Sequence, residues 1–245
     1  MSKLNPKSLT QRASRRTHTL NVLIACEESQ AECIAFRKLG HRAFSCDLQK
    51  ARYHDEWHIR GDVTPYLMGR TKFKTEDGKK HSLVRWDLII CHPPCTYLCK
   101  LGSYWMFYTK QQKGKHFEKL SVPDPGRYKK MLQAREFFMT CLNANANYVA
   151  VENPIPMARA QLPRPTTFLN PSWFGVKYTK KTLYWLKNLP PVMPTIEHPA
   201  PKQFVFSSRG KYRSRTFPQV AEALANQWSE YIIDDMRSCV VRRSK

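Results

Sequence analysis

The chain has 245 residues and a mass of 28.7 kDa, so it can bury a full hydrophobic core, and its length favours one domain. Its 41 Lys and Arg residues outnumber 19 Asp and Glu residues, and the resulting net charge of +22 indicates a polyanionic partner such as nucleic acid. The longest apolar runs, such as Val22 to Cys26, are far too short to span a bilayer, so we predict no membrane association.

The two ends of the chain are basic. Residues 1–18 contain Lys and Arg but no acid and no apolar core of a secretory signal, so we predict a flexible basic arm there. Whether this arm binds a ligand is open. We predict one domain over 19–236 and a basic tail over 237–245.

The cysteines are scattered through segments that are typical of core strands and helices. This distribution indicates a reducing compartment, and we expect a cytoplasmic protein. Cys91, Cys95 and Cys99 lie close together beside His92, but no second pair with zinc-site spacing accompanies them. We therefore predict no metal site.

The first half of the chain predicts strands that alternate with a helix. A strand at 20–26 is followed by a helix at 30–39, which Gly40 ends. A second strand covers 42–47 and ends in Asp47, and a short edge strand covers 58–62. The order strand, helix, strand indicates a parallel sheet with crossover helices. Residues 64–85 are polar and basic, which indicates an exposed loop or a small hairpin.

The second half predicts two further buried strands. The apolar run at 86–91 stops at His92-Pro93-Pro94, so Cys95 is expected at the carboxyl edge of the sheet, where α/β folds bind ligands. A lysine-rich excursion at 101–125 precedes a helix at 127–144, and the strand at 148–151 ends at Glu152-Asn153-Pro154.

The last third is rich in proline. Residues 154–201 contain one strong strand pattern, at 182–186, and 217–236 has the pattern of a closing amphipathic helix. The sequence as a whole predicts an α/β fold with a mostly parallel central sheet and helices on both faces.

Two strand-end motifs resemble those of a known enzyme family. His92-Pro93-Pro94-Cys95 resembles the Pro-Cys loop of S-adenosylmethionine-dependent DNA (cytosine-5) methyltransferases, and Val151-Glu152-Asn153-Pro154 resembles their Glu-Asn motif. The resemblance implies a Rossmann-like methyltransferase fold and transfer of a methyl group to carbon 5 of cytosine in DNA. It also implies that Cys95 is the nucleophile, that Glu152 contacts the ring edge, and that Pro94 and Asn153 shape the pocket.

The chemistry explains why such residues are needed. Carbon 5 of cytosine is a poor nucleophile, so a thiolate adds at carbon 6 while an acid holds a proton near ring nitrogen 3. Covalent catalysis and acid catalysis then act on the same base.

The resemblance also implies residues that bind the cofactor, S-adenosyl-L-methionine. Residues 23–29 correspond to the turn that holds its methionine end, Asp47 to the acid on the ribose, and Asp62 to the acid near the adenine. The expected cofactor residues are Ala25, Cys26, Glu27, Ser29, Asp47, Asp62, His92, Pro93 and Thr216. The chain departs from the family here, because Cys26-Glu27-Glu28-Ser29 stands in place of a glycine-rich turn.

A basic set is expected to contact nucleic acid. Residues 215–221 are similar to the last motif of the family, and Trp173-Phe174-Gly175 with Lys180-Lys181 is loosely similar to its basic motif near the target base. The expected nucleic-acid contacts are Lys100, Lys110, Lys180, Lys181, Arg213 and Arg215. Only about thirty residues separate Leu186 from Arg215, so the large target-recognition domain of the family is absent.

These departures leave alternatives open. One is an enzyme of the same kind that acts on a nucleotide, on RNA or on a modified cytosine. Another is a basic nucleic-acid-binding module that has lost catalysis. The aromatic run at 104–108 with Lys110 is explained equally by base stacking and by core packing. The sequence does not determine the oligomeric state.

Overall fold

A computed structural model describes residues 18–110, 117–177, 179–197 and 215–243. Within these residues the strands are β1 (Asn21–Ala25), β2 (Arg42–Asp47), β3 (His58–Arg60), β4 (Lys72–Lys74), β5 (Lys80–Ser82), β6 (Leu88–Cys91), β7 (Tyr108–Lys110), β8 (Phe117–Lys119), β9 (Tyr148–Asn153), β10 (Thr167–Leu169) and β11 (Thr182–Lys187). The α-helices are α1 (Ala31–Lys38), α2 (Thr64–Leu67), α3 (Pro125–Leu142) and α4 (Pro218–Arg243). Short 3-10 helices cover Asp55–Trp57, Lys100–Phe107, Ala158–Ala160 and Pro171–Phe174.

The centre of the molecule is a seven-stranded sheet in the order β10-β11-β9-β6-β1-β2-β3. The five strands from β9 to β3 are parallel, whereas β11 is antiparallel to β9 and β10 is antiparallel to β11. The prediction of an α/β fold with a mostly parallel sheet is confirmed. All four residues of β6 are buried because β6 lies in the middle of this sheet, with neighbours on both sides.

Helices cover both faces of the sheet. Alternate residues of β1 point to opposite faces, so Leu23 packs in one core cluster and Val22 in the other. The Leu23 face is covered by α3 through Phe138 and neighbouring residues. The Val22 face is covered by α1 through Phe36 and by α4 through Trp228.

Several boundaries differ from the predictions. The third strand ends at Arg60 and leaves Asp62 in a loop, and the segment at 64–85 contains a short helix and the β4–β5 hairpin. Helix α3 begins at Pro125 because the carboxylate of Asp124 caps it by accepting the N–H of Arg127, at 2.8 Å. Helix α4 continues to Arg243, so 237–243 extends the closing helix across the predicted start of the tail.

Strand β10 was missed by the sequence analysis. It has only three residues in a proline-rich stretch, and it forms by pairing with β11, a contact that no local pattern reveals. Among the described residues, no helix is long and apolar enough to cross a membrane.

Candidate active site

The candidate nucleophile Cys95 follows β6 at the carboxyl edge of the sheet. Cys91 at the end of β6 pairs with Val151 of β9, so the residues after both positions emerge side by side. The backbone carbonyl of Cys95 accepts the N–H groups of Leu98 and Cys99, each at 2.9 Å, and this tight turn holds the partly exposed thiol. The structure therefore places Cys95 at the edge that the sequence predicted.

A buried histidine bridges two carboxylates beside this turn. Nε2 of His92 lies 3.1 Å from Oε2 of Glu32, and Nδ1 lies 3.5 Å from Oε2 of Glu152. Glu32 is fully buried, and His92 and Glu152 expose only 11% and 14% of their side chains. His92 was expected to bind cofactor, but both of its ring nitrogens face carboxylates of this bridge. Glu32 was missed by the sequence analysis, because an acid in the first turn of a helix is an ordinary surface pattern.

The charges of this bridge stabilise one another. Burial lowers the pKa of His92, but the two carboxylates outweigh burial and raise that pKa well above its usual value. Burial raises the pKa of Glu152, but the hydrogen bond from His92 and the charges of Lys180 and His92 outweigh it and lower that pKa. At neutral pH, Glu152 is therefore an ionised carboxylate that is paired with an imidazolium.

The negative charge of Glu152 acts on the thiol of Cys95. A hydrogen bond with Cys99, burial and the negative charge of Glu152 raise the pKa of Cys95, and the charge of Lys180 lowers it. Cys95, Glu152 and Lys180 thus lie close enough for their charges to act on each other. Lys180, predicted as a nucleic-acid contact, lies at the candidate active site.

Cys99 is the second thiol of the site, and the sequence analysis gave it no role. The hydrogen bond from Cys95, together with backbone N–H groups that include those of Leu101 and Gly102, lowers the pKa of Cys99 to about 6. Cys99 therefore carries the negative charge of the thiol pair, while Cys95 keeps its proton. The four-residue spacing between the two cysteines was a visible signal for this contact.

The expected cofactor turn has an unusual backbone. Cys26 and Gln30 adopt left-handed conformations with φ of 62° and 58°, which glycine normally supplies. The N–H of Cys26 donates to the carbonyl of Cys46 at 2.7 Å, and this bond holds the turn against β2. The chain thus makes a tight turn between β1 and α1 without glycine, and such strain is typical of functional sites.

Glu27 caps helix α1. Its carboxylate accepts the N–H groups of Glu32, at 2.8 Å, and Cys33, at 3.4 Å, and it is almost fully buried. Burial and the charge of Glu32 raise the pKa of Glu27 to about 8. Of the other residues expected around the cofactor, Ser29 is buried beside the same turn, and Ala25 and Pro93 are also buried.

Asp47 and Asp62 lie near each other at the carboxyl edge. Both carboxylates act on the thiol of Cys26, whose pKa is raised chiefly by burial. One oxygen of Asp47 accepts the N–H of Gln49, and one oxygen of Asp62 accepts the N–H and hydroxyl of Thr64. Carboxylate oxygens accept hydrogen bonds from hydroxyl groups, so the chemistry of these two residues is compatible with the ribose of S-adenosylmethionine.

The predicted contacts near the start of α4 are joined to α1 and to the turn before it. Thr216 donates its hydroxyl hydrogen to Glu32, at 3.1 Å, and Arg215 lies 3.4 Å from Glu28 in an ion pair. Arg215, predicted to contact nucleic acid, thus bonds within the protein and fixes the chain beside the cofactor turn.

The remaining predicted contacts are separated. Lys100 is exposed on the segment after Cys99, and Lys181 lies over the ring of Phe168, 4.4 Å from its centroid. Arg213 and the side chain of Lys110 lie outside the described residues. Pro94 is exposed next to Cys95.

Asn153 is fully buried, and its Nδ2 donates to the carbonyl of Pro154 at 3.1 Å. Its Oδ1 has no hydrogen-bond partner among the described residues. A buried acceptor without a partner next to Glu152 is a place where a ligand donor would be stabilised.

The described part of the chain holds no group of three or more His, Cys, Asp or Glu side chains that could bind a metal ion. Comparisons with protein-family models and with curated proteins find no match. The geometry of the residues therefore carries the functional argument.

Proposed function

We propose that this protein is an S-adenosylmethionine-dependent methyltransferase with a Rossmann-like fold that methylates carbon 5 of cytosine in DNA. The observation that carries the proposal is the position of Cys95 and Glu152, which follow β6 and end β9 at one edge of the sheet and act on each other electrostatically. A thiol and a carboxylate brought together in this way match the two groups that cytosine activation requires.

In the proposed reaction, Cys95 loses its proton to a water molecule and its sulfur forms a bond to carbon 6 of the base. The electrons displaced from the ring reach nitrogen 3, which takes a proton that the imidazolium of His92 passes on through the carboxylate of Glu152. When bound, S-adenosylmethionine would supply an electrophilic methyl group to carbon 5. A water molecule then takes the proton on carbon 5, the bond between carbon 6 and Cys95 breaks to restore the ring, and nitrogen 3 returns its proton to His92 through Glu152.

The cofactor would be held by residues of β1, β2 and the following loops. The turn at Cys26 brings backbone groups to the carboxyl edge, and Asp47 and Asp62 offer carboxylate oxygens to the ribose. The net charge of +22 supports nucleic acid as the substrate.

Transfer of labelled methyl groups from S-adenosylmethionine to cytosine-containing DNA tests the proposal. We expect the substitution Cys95→Ala to reduce the rate at least about a thousand-fold, because the covalent route is removed. The matched control is Cys239→Ala, which removes an exposed thiol on α4 and should leave the rate unchanged. Methyl transfer by the Cys95→Ala protein at the wild-type rate would contradict the mechanism.

A second candidate is a nucleic-acid-binding module that has lost catalysis. It is favoured by Glu27, whose carboxylate occupies amides at the start of α1 that would otherwise face a ligand. Calorimetry with S-adenosylmethionine separates the two candidates, because binding supports the enzyme and absence of binding supports the module. Activity on a nucleotide or on RNA, but not on DNA, would change the substrate and keep the mechanism.

A further inference from the structure

The segment that follows Cys99 exposes an aromatic platform. Tyr104 and Trp105 remain 53% and 40% exposed, and their rings meet edge to face with centroids 5.1 Å apart. Tyr104 also stacks on Tyr108, with centroids 4.4 Å apart and an interplanar angle of 16°. Large rings this exposed, which support one another in a fixed arrangement, are typical of a binding surface.

Cations lie over two rings, Tyr97 and Phe107, that flank this platform in the sequence. Arg127 and Lys130 of α3 lie over the ring of Tyr97, at 5.3 Å and 5.7 Å from its centroid. Arg159 lies over the ring of Phe107 at 5.6 Å. These contacts orient the cations while leaving their N–H groups able to bind phosphate. We define the aromatic–cationic surface as Tyr97, Tyr104, Trp105, Arg127, Lys130 and Arg159.

This surface is attached to the turn that carries Cys95. The N–H of Met157 donates to the carbonyl of Leu98, and the N–H of Lys100 donates to the carbonyl of Ile155, each at 2.8 Å. The N–H of Asp124 donates to the carbonyl of Met106, also at 2.8 Å. Backbone hydrogen bonds thus join the segments before Arg127 and Arg159 to the loop of the candidate nucleophile.

Two segments of this region contain no acid. No Asp or Glu occurs between His92 and Phe117, and none occurs between Asn153 and Ile196. These two segments therefore carry Lys and Arg residues but no anions, which favours a polyanion over a protein or a neutral ligand.

We propose that the aromatic–cationic surface binds single-stranded nucleic acid and presents an unpaired base to Cys95. Tyr104 and Trp105 stack on bases that flank the target, and Arg127, Lys130 and Arg159 contact the phosphates. A single strand fits because the faces of bases inside a duplex are already covered by their neighbours. The presentation of a base to Cys95 rests on the proposed function, whereas the binding of a single strand does not.

Fluorescence anisotropy with a labelled oligodeoxynucleotide of about 16 nucleotides tests the inference, with a duplex of the same sequence as the comparison. We expect the single strand to bind at least about ten times more tightly than the duplex. The double substitution Tyr104→Ala and Trp105→Ala should weaken single-strand binding about ten-fold or more, because each stacked base contributes a factor of that order.

The matched control is Tyr231→Ala. This tyrosine is also 40% exposed, but it contacts Tyr148 at the beginning of β9, on the opposite edge of the sheet from Cys95. The control should bind the single strand as the wild type does. Arg127, Lys130 and Arg159 should also be replaced together by Ala. The slope of the logarithm of the binding constant against the logarithm of the salt concentration should then become shallower by roughly 0.7 for each phosphate that the variant no longer neutralises.

Equal affinity for single strand and duplex, or unchanged affinity in the Tyr104→Ala, Trp105→Ala protein, would overturn the inference. Its failure is distinguishable from failure of the proposed function, because binding is measured without cofactor and without catalysis. Tight single-strand binding that depends on both rings, in a protein that transfers no methyl group, would support the surface and contradict the enzyme.

Discussion

Nδ1 of His92 lies 3.5 Å from Oε2 of Glu152, so the first residue after β6 is ion-paired with a residue near the end of β9. The other ring nitrogen faces Glu32 of α1, and the imidazolium therefore joins three elements at the carboxyl edge. The buried cation keeps the carboxylate of Glu152 ionised and oriented, and it holds the proton that Glu152 would pass to the base.

Replacing His92 by Gln should destabilise the fold by about 3 kcal/mol at neutral pH, because two buried carboxylates lose their cation. The folded-state pKa of His92 is raised, so its contribution is fully present below the usual value of 6.5 and is lost as pH rises through the folded-state pKa. Glu152 has a lowered pKa, so its contribution is lost as pH falls below 4.5. Urea unfolding of the wild type and of the His92→Gln protein at a series of pH values measures the difference in their free energies of unfolding.

His41→Gln is the matched control for this prediction. Burial lowers the pKa of His41, so the cost of its removal should shrink as pH falls, whereas the cost of removing His92 should shrink as pH rises above 6.5. A cost for His92→Gln that does not decrease at alkaline pH would show that the charge of the imidazolium contributes nothing.

Removing Cys99 should make Cys95 more reactive at neutral pH. The hydrogen bond with Cys99 is the largest cause that raises the pKa of Cys95, so the thiol should ionise more readily when that partner is removed. We expect Cys99→Ala to speed alkylation of Cys95 by iodoacetamide about ten-fold at pH 7. Mass spectrometry of the modified peptide measures the rate, in a Cys239→Ala background that lacks the exposed thiol on α4. Unchanged or slower alkylation would show that Cys99 does not hold the proton on Cys95.

Gly102→Ala should disrupt the turn that holds Cys95. A Cβ atom at Gly102 would lie 2.3 Å from the carbonyl oxygen of Thr96, so the backbone must move, at a cost of about 2 kcal/mol or more. Thermal unfolding should show a lower midpoint, and alkylation of Cys95 should change. Gly126→Ala is the control. A Cβ atom at Gly126 would lie 3.3 Å from its nearest neighbour, Oδ1 of the Asp124 side chain, and alanine favours the helix. Equal midpoints for both variants would contradict the prediction.

Cys26→Val should destabilise the protein by about 2 kcal/mol, because a β-branched residue fits the left-handed region poorly, whereas Cys26→Gly should keep the turn. Denaturant unfolding measures stability, and calorimetry with S-adenosylmethionine measures the proposed cofactor site. Cys46→Val on the neighbouring strand is the control, since an extended backbone accepts valine. If valine were tolerated equally at both positions, the strain at Cys26 would be unimportant.

Local patterns determined most of the central sheet. The apolar runs of β1, β6 and β9 predict buried strands because a strand that is covered on both faces needs apolar side chains throughout. The breaks after Cys91 and at Glu152 then place the two motifs at strand ends. The sequence could not predict β10, which exists only because β11 pairs with it.

The sequence by itself determined the α/β class and the strand ends that carry Cys95 and Glu152, because alternation and apolar runs are local properties of the chain. Only the tertiary structure decided what each charge faces. Glu32 and His92 are 60 residues apart in sequence, and Glu32 and Thr216 are 184 residues apart, yet each pair is hydrogen-bonded. Such contacts depend on the packing of α1 and on the order of strands in the sheet, and no local pattern encodes that arrangement.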